Sequence, residues 1–194
     1  MTTTKAAPTA KAKKRPLTLA DLTDAERERA ALAFHEAGHA IAATLLGGRV
    51  NVAVVSEGRA FGLLGKTVHD QVPGGGWPSI LYAGPWAEAR FRAGRRPTQR
   101  EMFTALDRNS CDDRELSRAG GSVTGAGVVP LLERCWPSVA KLAGRLWQHS
   151  DVRHEHVCAA LQIPASDNGF HLSLIRAGTA PGSLKVTRST AATG

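Results

Sequence analysis

One segment limits the folds open to this chain more than any other: residues 24–46 read as a single long helix. Thr23 is a good N-cap, and Glu26 three positions later completes a capping box. Ala30, Ala31, Phe34, Ile41, Ala42 and Leu45 recur at helical spacing. Gly47-Gly48 stops the element. A helix this long and this rich in small apolar residues is predicted to be largely buried, with the rest of the chain packed around it.

The remaining elements are shorter. Residues 50–55 are β-branched and predict a strand; residues 61–68 predict a second, with Glu57-Gly58-Arg59 as the turn between them. Pro73-Gly74-Gly75-Gly76 reads as a flexible loop. Helices are predicted over 78–92, with Pro85 kinking or dividing it, and over 98–106, 110–119, 129–148 and 154–161. The class is therefore mainly α with a small β-sheet (α+β). Residues 1–16 carry Lys5, Lys11, Lys13, Lys14 and Arg15 with nothing to bury, and predict a disordered basic tail. Residues 17–177 are expected to form one domain, and 178–194 a second, flexible tail.

Hydrophobic residues make up 42% of the 194, and no apolar run approaches the roughly 20 needed to span a bilayer. The basic N-terminus lacks the apolar stretch of a secretory signal. Cys111, Cys135 and Cys158 are odd in number and widely spaced, which argues against a disulfide framework. These features point to an intracellular, cytoplasmic protein. The formal charge of +8 raises the question of nucleic acid, but much of the excess sits in the tails, no aromatic residues interleave with the lysines, and no nucleic-acid motif is present.

The chemistry lies in the long helix. His35-Glu36-Ala37-Gly38-His39 is an HExxH pattern. Residues i and i+4 share a helical face, so both imidazoles can reach one zinc ion. Glu36 can approach water made acidic by the metal and accept its proton as the oxygen attacks a carbonyl. A catalytic zinc site usually has three protein ligands. Glu88, Asp107, Asp112 and Asp113 are all candidates for the third, and composition does not choose among them. His154-Glu155-His156 lacks the spacing and reads as a solvated helix start. His69 and Tyr82 are candidates for stabilising a developing oxyanion, and the four tryptophans are read as packing residues.

The stretch from Ala33 to Ala40 resembles the active-site helix in the peptidase domain of the FtsH family of membrane-anchored, ATP-dependent proteases. Tyr82 to Arg90 is similar to that family's GG-R-A-A-E-E segment, and Ser110 to Leu116 to its A-S-N-D segment, whose aspartate is the third zinc ligand. Together the likeness covers about residues 25–160. It implies a zincin-like helical peptidase domain with zinc held by His35, His39 and Asp112, Asp113 as the fallback ligand, and Glu36 as the catalytic base. Glu88 then becomes structural and pairs with an arginine. Cys111 stands where the family has asparagine, and this sequence carries neither a Walker-type nucleotide loop nor a transmembrane segment. The expected function is a zinc metalloendopeptidase acting on unstructured polypeptide, with a separate unfoldase as a possible supplier of substrate. The rival readings are a zinc-binding but idle adaptor domain and a nucleic-acid-associated protein that uses its basic tail. The resemblance and general peptide recognition also suggest the second strand as an edge for an extended peptide.

Overall fold

The long helix forms where its signals put it. In the computed structural model, which describes residues 21–58, 62–70, 72–166 and 169–183, α1 spans Asp24–Leu45. Thr23 accepts from the Glu26 backbone N–H while the Glu26 carboxylate accepts from the Thr23 N–H, closing the capping box. From Ala30 onward nearly every residue of α1 is buried, so the helix is a central axis rather than a surface element.

Two partners cover most of it. α2 (Trp77–Ala93) lies along one side and α7 (Trp136–His149) along another. The approach to α2 is set by Gly38. A Cβ there would lie 2.5 Å from the Ala83 carbonyl oxygen and 2.8 Å from Ala87 Cβ, so the two backbones cross with no side chain between them. Phe34 stacks on Phe91 and Trp136 at centroid distances of 4.4 and 5.3 Å, sealing the outer end of this contact. Pro85 does not divide α2; the helix runs unbroken through it.

β1 (Val50–Gly58) pairs antiparallel with β2 (Gly62–His69), with Val55 opposite Gly65 and Ala53 opposite Thr67. β1 therefore continues through Glu57 and Gly58, which the sequence assigned to the turn. Residues 59–61, including Arg59 of that turn, lie outside the described residues. A two-residue strand, β3 (Asp151–Val152), joins the other side of β1, giving the order β2-β1-β3 and, among the described residues, leaving β2 at an edge. Pro73–Gly75 forms one turn of 3-10 helix where a flexible loop was expected.

Beyond α2 the chain continues through α3 (Gln99–Arg108), α4 (Ser110–Arg118), the single turn α5 (Ser122–Gly125), α6 (Val129–Arg134), α7, α8 (His154–Leu161) and α9 (Phe170–Ala177). The helix predicted over 129–148 is two, divided at Cys135. Pro137 in the first turn of α7 explains the break: proline has no N–H to continue an existing helix and suits the start of a new one. The class is mainly α with a small antiparallel sheet. Among the described residues no helix is long and apolar enough to cross a membrane. The proposed tail over 1–16 and most of that over 178–194 lie outside the described residues.

Candidate metal centre

His35 and His39 sit one turn apart on α1, 4% and 8% exposed, with their Nε2 atoms 2.9 Å from each other. Asp112, in the first turn of α4, places Oδ2 2.9 Å from His35 Nε2 and 3.3 Å from His39 Nε2. Three donor atoms from two elements thus converge on one point, and this group can hold a metal ion. Its size is appropriate: donors held roughly 2.0–2.1 Å from a tetrahedral ion are about 3.3 Å from one another.

The surroundings fix each ring. His39 Nδ1 donates to the Ile80 carbonyl at 2.8 Å, which leaves the Nε2 lone pair for the centre. His35 Nδ1 faces Glu88 Oε2 at 3.6 Å and has no hydrogen bond of its own. Two buried lone pairs 2.9 Å apart repel unless something positive lies between them. Burial pushes His35 toward neutrality, yet Asp112 and Glu88 outweigh it and raise its pKa to about 10. Asp112 shows the counterpart: burial raises its pKa, but the two imidazoles hold it well below the usual carboxylate range. The two carboxylates beside His35 thus favour positive charge at this point, from a proton or a metal ion.

Glu88 is held from behind. Arg92 Nε donates to Oε1 at 2.8 Å and Asn109 Nδ2 donates to Oε2 at 2.7 Å. Burial raises the Glu88 pKa, while His35, Asn109 and Arg92 bring it down to about 2. Arg92 is in turn gripped by Glu28 through two 2.7 Å bonds. The sequence left Glu88 open as a ligand; its carboxylate faces the outer nitrogen of His35, not the point where the three donors meet. Asp107 is exposed, and the donor group formed with the two histidines contains Asp112 and not Asp113.

Glu36 borders the same point. Thr67 Oγ1 on β2 donates to Glu36 Oε2 at 2.6 Å, orienting the carboxylate. Two glycines make room for this arrangement. A Cβ at Gly65 would overlap Glu36 Oε1 and Leu32, and a Cβ at Gly84 would overlap the His39 ring. Thr67, Gly65 and Gly84 escape a reading of the sequence because their role depends on which element crosses which. Only Gly38 carries a local cue, being embedded in the motif itself.

A cleft of about 390 Å3 opens over the centre. Leu64, Gly65, Lys66 and Thr67 all line it. Side chains alternate along a strand, so four consecutive residues can line one wall only through the strand's edge. Cys111, exposed and free, and His69 line it too. Tyr82 does not; it faces a different groove. Trp77 was expected as a packing residue but stands 48% exposed at the rim, its ring 5.6 Å from His69, because it opens α2 at the cleft mouth. Comparison of the sequence with protein-family models gives no match, and comparison with curated proteins gives none either.

Proposed function

We propose that this chain is a zinc-dependent peptidase acting on unstructured polypeptide, similar in its site to the FtsH peptidase domain. The observation that carries the reading is that one cleft holds both the His35, His39 and Asp112 donors and the Thr67-oriented Glu36 carboxylate. Two imidazoles and one carboxylate match a hydrolytic zinc site. The same donor types also serve ferrous iron; the carboxylate beside them favours hydrolysis, because it supplies a proton acceptor.

When bound, zinc would supply Lewis acidity, lowering the pKa of water from 15.7 to about 7 and polarising a carbonyl. The protein's own share follows from its contacts. His35, His39 and Asp112 would hold the ion, with Ile80 and Glu88 keeping the rings turned toward it. Glu36 would accept the proton of the attacking water and pass it to the leaving nitrogen, with Thr67 holding the carboxylate in line. The exposed edge of β2 would pair with an extended substrate backbone, laying a peptide bond across the centre. A folded domain does not offer such a backbone, which is why the substrate is unstructured.

Replacing Glu36 with Gln tests this. The shape is nearly the same, so metal content and helicity should match wild type while cleavage of casein falls about 10²–10⁴-fold. Equal cleavage by a zinc-loaded Glu36→Gln variant would remove Glu36 as the base. Zinc binding without cleavage by wild type, across an unfolded-protein panel, would favour the idle adaptor domain. Iron in place of zinc on elemental analysis would redirect the chemistry.

A further inference from the structure

On the other side of α2 from the metal centre lies a groove of about 460 Å3, between α2, α3 and α5. Its floor is Trp86 and Met102, 2% and 5% exposed, and its rims carry Phe103 and Val123, 49% and 86% exposed. Thr98, Gln99 and Ser122 also line it, and two further polar residues stand out. Tyr82 is only 9% exposed, and its hydroxyl makes no hydrogen bond among the described residues. Arg96 is the single charged residue of the lining, and its guanidinium has no acidic partner among the described residues. The neighbouring Arg95 is already engaged by Glu101 at 2.9 Å, so that acid is not available to it.

We infer that this groove docks a short segment of a partner protein that combines an apolar anchor side chain with a carboxylate. Exposed Phe103 and Val123 beside a closed aromatic floor are what an apolar anchor would cover. An unpaired guanidinium at the rim and an unpaired phenol in the wall both suit a carboxylate, the first as a charged donor and the second as a neutral one. The size falls in the range of built ligand sites, roughly 300–1,000 Å3. Residues 1–20 and 184–194 contain lysine and arginine but no aspartate or glutamate, so neither segment supplies a side-chain carboxylate. The groove and the metal cleft have no lining residue in common, so both can be filled at once. This inference does not depend on the peptidase reading.

The test uses fluorescein-labelled octapeptides that place one or two Leu or Phe side chains two to four positions from an Asp or Glu. Two matched panels replace the acid with Lys, or the apolar residues with Ala. Binding is read by anisotropy to the full chain carrying Glu36→Gln, so that no probe is consumed. Peptides with both features should bind saturably, and both control panels should bind more weakly. Arg96→Glu should weaken the best peptide about tenfold or more, Tyr82→Phe and Phe103→Ser by less, and Lys66→Glu, an exposed change in the metal cleft, not at all. Arg96 and Phe103 are exposed, so the first and third changes leave the core intact, which circular dichroism verifies. Absence of binding below 1 mM (about −4 kcal/mol), equal binding of the lysine panel, or loss of binding in Lys66→Glu would each overturn the inference. Concentration-dependent dimerisation abolished by Phe103→Ser would overturn it too, by making a second copy the occupant.

Discussion

Two helices of this chain carry histidines around a glutamate, and they use them differently. α1 sets His35 and His39 four residues apart, so both rings leave the same face and meet Asp112. α8 sets His154 and His156 two apart, on different faces, and each ring turns to local work. His156 Nδ1 accepts from the Arg153 N–H at 3.0 Å, capping the helix, and its Nε2 lies 2.9 Å from Arg145. His154 Nδ1 accepts from the Val50 N–H at 3.4 Å, which ties α8 to the sheet. Composition is nearly the same in the two places. Spacing decides whether imidazole nitrogens pool into one site or are spent singly on separate partners.

The largest expected difference between the two regions is in metal retention. Removing a ligand from the first set should cost far more than removing a ring from the second. After dialysis against a weak chelator, His39→Ala and Asp112→Ala should retain little or no zinc, while His154→Ala retains the wild-type amount. Full occupancy in Asp112→Ala would take that residue out of the centre, and depletion in His154→Ala would erase the contrast.

A subtler break is available at the glycines. A methyl at Gly84 would overlap the His39 ring. Overpacking of this kind costs typically about 1–3 kcal/mol, so Gly84→Ala should lower the unfolding midpoint and weaken zinc affinity together, without touching a ligand. If Gly84→Ala binds zinc normally, the close fit between α2 and His39 is not what positions the ring.

The smallest effect has the opposite sign. Gly144 lies inside α7 and a Cβ there meets nothing within 4 Å. Gly144→Ala should therefore stabilise the fold by about 0.5–1 kcal/mol, through helix propensity alone. The same substitution harms the site half and helps the other, and chemical denaturation of the two variants measures both. A loss of stability in Gly144→Ala would show that α7 packs more closely there than its surroundings indicate.

How much of this was legible in the sequence depends on the range of the interaction. α1 was readable to within a residue because its cap, stripe and stop are all local. The pairing of His35 with His39 was readable because helix geometry fixes it. Asp112 was reachable only through resemblance, since nothing within α4 marks it apart from Asp113; the turn at Asn109, whose side chain bonds Glu88 and the Ala105 carbonyl, settles which of the two faces inward. β3 is two residues long, too short for any alternation to register. α9 falls within the predicted 17–177 domain but was not read as a helix, because its eight residues are too few for a helical stripe to register and follow the turn-forming run Asp167-Asn168-Gly169. The division at Cys135 was there to be seen in Pro137.

The crossing of α1 and α2 at Gly38 also has a consequence in time. With backbone against backbone there, neither helix can slide without the other. Amide protons around Gly38 and Ala87 should then exchange with solvent only when the whole domain opens, whereas the outer edge of β2 exposes its amides directly. Hydrogen exchange should therefore find its slowest amides on the α1–α2 side of the cleft and faster ones along the β2 edge.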